Sequence, residues 1–125
     1  MHPSVLIVDD DEDSLVILAT ALSASGFDVK TARSCAEARA TLERVDLDAL
    51  VADFSLDDGT AVDLVESLGE RRPRFSILLT GFGDAAHRAA GKAAGFRAYL
   101  VKPVPLELLE KTLRAELGPT ALPAV

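Results

Sequence analysis

A chain of 125 residues with 49% hydrophobic and 26% charged side chains has the size and composition of one globular domain, neither disordered nor dependent on staples. Its formal net charge of -7 opposes contact with a phosphate backbone, so direct binding of DNA or RNA is not expected. No apolar run reaches a membrane-spanning length and no charged-then-apolar leader is present, while Cys35, the single cysteine, excludes an internal disulfide framework and fits a reducing cytoplasm.

Val5-Leu6-Ile7-Val8 is a short unbroken apolar run, which predicts a central strand covered on both faces and ended by Asp9-Asp10. Leu15, Leu18, Ala19 and Leu22 follow Asp13-Ser14 at helical spacing, predicting a capped helix stopped at Gly26. Asp11 and Glu12 extend the acidic rim or favour that helix's N-terminus rather than bind metal. On a helical wheel Ile17 falls opposite the core stripe and is predicted to be exposed. Phe27, Val29 and Thr31 alternate with Asp28, Lys30 and Ala32, as in a half-exposed edge strand. Ala36 to Arg44 has helical composition, with Cys35 read as a small residue near its start, and Leu47 to Ala52 forms a strand running into Asp53. Thr60 and Asp63 have capping-box spacing for a helix through Leu68. The one basic cluster, Arg71-Arg72-Pro73-Arg74, reads as a solvated turn before the strand Ile77-Leu78-Leu79, which ends at Thr80. An alanine-rich helix is predicted from Asp84 to Ala94, interrupted at Gly91 and ended by Gly95. Tyr99-Leu100-Val101 is the last strand and runs into Lys102-Pro103, after which Pro105 opens a helix through Leu117, stopped by Gly118-Pro119. His2 and His87 lack a partner pattern and read as a terminal and a surface histidine.

Five βα units in strict alternation predict an α/β fold, a five-stranded parallel sheet with right-handed crossovers and helices on both faces. An apolar first strand and a half-exposed second one favour the order 2-1-3-4-5. The polar residues that end the strands then gather at one edge, where ligands bind in open sheets of this kind.

Those residues suit phosphoryl transfer. Clustered carboxylates repel one another unless a cation shares them, and an all-oxygen donor set with few protein ligands suits Mg²⁺. Asp53 stands apart at its own strand end and is free to attack phosphorus. Thr80 can donate to one phosphoryl oxygen and Lys102 can neutralise another, which supplies positioning and charge stabilisation. A glycine at position 81 leaves room for the approaching group.

Val8-Asp9-Asp10, the Asp53 segment ending in Asp58-Gly59, Leu79-Thr80-Gly81 and Tyr99-Leu100-Val101-Lys102-Pro103 resemble the receiver domain of two-component response regulators, in order and roughly in distance, over residues 4 to 117. The resemblance implies a flavodoxin-like fold. It implies further that Asp9, Asp10, Asp53 and the backbone carbonyl of Ser55 hold Mg²⁺, and that Asp53 accepts a phosphoryl group from a histidine kinase or a histidine phosphotransferase. Thr80 and Lys102 would bind that group, and Thr80 with Tyr99 would form the switch, although a strand tyrosine is equally read as core. Ile17 is the predicted kinase-docking residue. One loop departs from the pattern: Asp53-Phe54-Ser55-Leu56-Asp57-Asp58-Gly59 is a shortened form with Asp57 where a proline often stands.

Residues 1–118 are expected to form the receiver and residues 119–125 a short tail or the start of a linker. Gly95-Phe96-Arg97-Ala98-Tyr99 lacks the acidic pair used for dimer salt bridges by winged-helix regulators, so a monomer or weak dimer is expected, acting on a downstream protein or an output domain. Two other readings use the same residues. A Mg²⁺-dependent phosphohydrolase of haloacid dehalogenase type would want an acid at position 55 and a longer chain, and a pseudo-receiver working without phosphate would not need the intact five-residue set.

Overall fold

A computed structural model describes residues 2–81 and 83–118. Its elements in chain order are β1 (Ser4–Val8), α1 (Glu12–Ala24), β2 (Asp28–Ala32), α2 (Cys35–Arg44), β3 (Ala49–Asp53), β4 (Ser55–Leu56), β5 (Gly59–Thr60), α3 (Ala61–Leu68), a 3₁₀ turn (Gly69–Arg71), β6 (Phe75–Thr80), α4 (Ala85–Ala94), β7 (Ala98–Val101) and α5 (Leu106–Leu117). The parallel main sheet has the order β2-β1-β3-β6-β7. Without the small β4-β5 hairpin this is the predicted 2-1-3-4-5 arrangement of the flavodoxin-like fold.

Side-chain alternation divides each central strand between two cores. Val5, Ile7, Ala49, Val51, Ile77 and Leu79 face Leu15, Leu18 and Leu22 of α1 and Leu109 and Leu113 of α5. Leu6, Val8, Leu50, Ala52 and Leu78 face Cys35, Ala38 and Leu42 of α2 and Leu64, Val65 and Leu68 of α3. Burial on both faces explains why these strands read as continuous apolar runs.

Register places the strand ends level. Val8 is opposite Ala52, Asp53 is opposite Leu79, and Thr80 is opposite Val101. Asp9, Asp53, Thr80 and Lys102 therefore emerge on neighbouring strands, which lie about 4.8 Å apart in any sheet.

Several boundaries differ from the sequence reading. α1 begins at Glu12 with Asp11 as its N-cap, earlier than Asp13-Ser14 suggested, because the Ser14 hydroxyl donates to Asp11 from inside the first turn. β3 begins at Ala49, since Asp48 before it is tied to the start of β1, its carboxylate accepting from the Ser4 N–H and hydroxyl. In β2 Thr31 is exposed and Ala32 buried, the reverse of the expected alternation, because Ala32 lies under the α2 cluster. α4 runs through Gly91 without interruption, and Gly91 is its buried residue. The capping box at Thr60 and Asp63 forms as predicted, and Gly95 ends α4 in the left-handed region. Pro119 and the proposed tail lie outside the described residues.

Candidate functional site

The three acids meet at the carboxyl edge of the sheet. One carboxylate oxygen from each of Asp9, Asp10 and Asp53 lies within 4.8 Å of the others. Asp9, which follows β1, is fully buried and accepts from the Asp11 N–H at 2.9 Å. Lys102, just past β7 and before a cis bond to Pro103, donates to Asp9 Oδ2 at 3.1 Å and to Asp53 Oδ2 at 3.4 Å. Asp53 thus does not stand alone, because one ammonium bridges it to the pair.

Burial raises the Asp53 carboxyl above its usual range; Lys102 opposes this, and the charges of Asp9 and Asp10 reinforce it. Asp10 is raised as well, first by burial, then by the facing Asp57 carboxylate, with Asp9 adding. Burial alone would lower Lys102, but the bond to Asp9 and the charge of Asp53 outweigh it and hold the ammonium charged. The Lys102–Asp53 pair therefore looks different from its two ends. The lysine gains, whereas the aspartate still rises because one ammonium does not offset burial beside two further carboxylates.

Thr80 ends β6, buried, with its hydroxyl donating to the Gly81 carbonyl at 3.4 Å. Tyr99 is half-buried on β7, packs against the α2-α3 core and donates from its hydroxyl to the Phe96 carbonyl at 3.0 Å. Ser55 opens the β4-β5 hairpin, exposed, two residues past Asp53. Ile17 is 58% exposed, as the wheel predicted, and so is its neighbour Val16 at 57%. A Cβ on Gly81 would meet Asp84 Oδ2 at 2.8 Å, so the room kept there is taken by that carboxylate.

Three features escaped the sequence reading. The shortened loop is organised by Asp58, whose carboxylate accepts from the Cys35 and Ala36 N–H groups at 2.8 and 3.0 Å, ties the hairpin to the start of α2 and is held below the usual carboxylate range by those bonds. Asp57 brings a fourth acid to face Asp10, and its place in the unusual loop was the available signal. His87 is no plain surface histidine: it is half-buried with its ring stacked on Phe54, a contact between distant positions that no local pattern announces. Cys35 is buried with its thiol pushed up to about 11 by burial and the Asp58 charge, which suits a structural residue. Near the chain's start His2 Nδ1 donates to the Gly26 carbonyl at 3.1 Å.

Known proteins resemble this chain in sequence and in fold. The photosynthetic apparatus regulatory protein RegA of Cereibacter sphaeroides is 40% identical over 114 residues, which make up 90% of this chain and 62% of that protein. The chain likewise spans 56% of the RegA of Rhodovulum sulfidophilum, at 42% identity over 81% of this chain. Among solved structures, a CheY-like response regulator receiver domain protein from Methanospirillum hungatei matches at a TM-score of 0.87 and 28% identity, covering 94% of each chain. The chemotaxis protein CheY4 of Vibrio cholerae matches at 0.86 and 28% identity, covering 94% of this chain and all of that one. Residues 5–114 match the model of the response regulator receiver domain, and it is to this family that the chain belongs.

Proposed function

We propose that this chain is a phosphorylation-dependent receiver whose Asp53 takes a phosphoryl group from a phosphohistidine on a histidine kinase or histidine phosphotransferase. The observation that carries the reading is the meeting of Asp9, Asp10 and Asp53 within 4.8 Å, with Lys102 bonded to two of them, at the carboxyl edge of the sheet. The donor set is all hard oxygen and carries more negative charge than one ammonium balances, which fits Mg²⁺ held by Asp9, Asp10, Asp53 and the Ser55 carbonyl. Bound there, the ion would neutralise phosphoryl oxygens as charge builds on them.

An Asp53 carboxylate oxygen attacks phosphorus as the phosphorus–nitrogen bond breaks, and the departing imidazole takes up a proton. Lys102 turns from Asp53 to a phosphoryl oxygen, and Thr80 gives up its bond to Gly81 to donate to another. Tyr99 then fills the space Thr80 vacates, changing the surface made by α4, β7 and α5. Binding of this kind acts only through different contacts in two states. The chain catalyses no reaction beyond gaining and losing its own phosphoryl group, and passes the signal to a downstream protein or an output domain. No helix among the described residues is long and apolar enough to cross a membrane, and the proposed place of action is the cytoplasm.

Kinase docking is assigned to Ile17. A groove of about 220 Å³, lined by Ser14, Ile17, Leu18, Lys102, Pro103 and Val104, joins this side chain to the lysine of the site.

The test is mass spectrometry after acetyl phosphate with Mg²⁺. One phosphoryl group should appear on wild type and none on Asp53→Ala. Equal labelling of the variant would move the acceptor elsewhere, steady turnover of simple phosphate esters would favour a phosphohydrolase, and no labelling of either would favour a pseudo-receiver.

A further inference from the structure

α4 buries little of its own side-chain surface. Gly91 is its only buried residue among those described, and exposed alanines fill much of the helix. Elements with so little buried surface lie at the low end of local stability and are the ones that move. His87, at the helix's N-terminal turn, ties that end down: its ring lies on Phe54 with centroids 3.8 Å apart and planes inclined by 3°.

Phe54 is itself fixed. Its N–H donates to the Leu79 carbonyl at 2.9 Å, its carbonyl accepts from the Ala61 N–H at 2.8 Å, and its ring packs against the α2-α3 core. On the other side, His87 Nδ1 stands 3.4 Å from Asp84 Oδ2. The Asp84 N–H donates to the Gly81 carbonyl at 3.3 Å, and the same Asp84 oxygen fills the space over Gly81. Contacts therefore run without a break from Asp53 through Phe54, His87, Asp84 and Gly81 to Thr80.

We propose that the Phe54–His87 stack is a latch, with His87 a positioning residue that holds the start of α4, Asp84 and, through Asp84, Gly81 in the resting arrangement. Thr80 now donates to its neighbour Gly81. Turning that hydroxyl to a phosphoryl oxygen moves Gly81 and with it Asp84, and Asp84 moves His87 across a phenyl ring whose backbone is held by the Leu79 and Ala61 bonds. The stack then favours the resting state, and its loss is part of the free energy that phosphorylation must supply. An aromatic pair is strong enough to shift such a balance measurably.

The inference rests on Asp53 as the acceptor, and the experiment separates the two. Beryllofluoride with Mg²⁺, a phosphoryl mimic, is titrated into wild type, His87→Ala and His87→Phe while amide and aromatic resonances are followed. His87→Ala should bind about fivefold more tightly than wild type, equivalent to about 1 kcal/mol. His87→Phe, which keeps a ring on Phe54, should stay within about twofold of wild type, a difference under 0.5 kcal/mol. Ring-current shifts of the Phe54 and His87 protons should be present in free wild type and disappear on binding. A merely structural histidine would change the melting temperature and leave these affinities alone. Equal affinity of wild type and His87→Ala, or ring-current shifts that survive binding, overturns the latch while Asp53 stands. Failure of wild type to bind at all removes the Asp53 reading and the latch with it.

Discussion

Lys102 serves two carboxylates at once, and Asp9, the fully buried one, has the shorter bond at 3.1 Å against 3.4 Å for Asp53. Among the described residues Asp10 has no such partner and faces Asp57 instead, so the unmet negative charge of the cluster collects there. Asp10 and Asp53 both lie above the ordinary carboxylate range in the folded chain. A carboxyl raised on folding contributes stability that is complete below its unfolded pKa of about 4 and is lost as pH rises through its higher folded value. Metal-free wild type should therefore lose stability relative to Asp10→Asn as pH rises from about 4 to 7, because the variant lacks one of the two raised groups. Mg²⁺ should raise the melting temperature of wild type at pH 7 by mass action and leave that of Asp10→Asn nearly unchanged. Melting curves of both proteins at several pH values, with and without Mg²⁺, make the comparison. A wild type that gains on the variant as pH rises, or an equal Mg²⁺ response of the two, would refute the assignment of strain to Asp10.

At the scale of elements, α4 shows how a glycine that looks like a break can be a seat. A Cβ built on Gly91 would lie 2.7 Å from Leu78 Cδ2, 3.5 Å from Tyr99 Cε1 and 3.7 Å from Phe96 Cβ, so the missing side chain lets the helix approach the sheet. Leu78 is fully buried in the core between the sheet and α2-α3. Gly91→Val should cost about 1–3 kcal/mol in overpacking, offset only in part by the better helix propensity of valine, a gain of less than about 1 kcal/mol. Urea unfolding should show a lowered midpoint, and Tyr99 fluorescence in the folded baseline should change. An unaltered midpoint would mean that α4 stands further from Leu78. The strands themselves were legible because unbroken apolar runs survive small errors in where they end. Their limits were less so, since Asp48 is hydrogen-bonded to Ser4, forty-four positions away in the chain, and Asp11 rather than Asp13 is the N-cap of α1. The β4-β5 hairpin has two residues on each side, too few to carry a period, and what organises it is the bond from Asp58 to the start of α2.

For the whole molecule, the position of the site follows from topology: parallel strands in the order β2-β1-β3-β6-β7 bring Asp9, Asp53, Thr80 and Lys102 to one edge because each directly ends or follows a strand. That much could be read from the chain, since it needs only element order and the residue after each run. The contact of Phe54 with His87 could not, because two ordinary residues on separate elements give no sign of meeting until the helix is placed. The same placement leaves an apolar surface on α1 near Lys102. Val16 and Ile17 on α1 are more than half exposed at 57% and 58%, and the groove next to Ile17 reaches Lys102 and Pro103. A helix that presents a phosphohistidine to Asp53 must lie against some surface at this edge, and an apolar anchor with Ser14 and Thr20 around it is suited to that contact. The expected consequence is a split between two donors. In Ile17→Glu, transfer from a cognate histidine donor should fall at least about tenfold, or about 1.4 kcal/mol, while labelling by acetyl phosphate, which needs no docking surface, stays near the wild-type rate. Equal loss with both donors would point to damage at the site or the fold, and unchanged transfer from the histidine donor would place the kinase on another face.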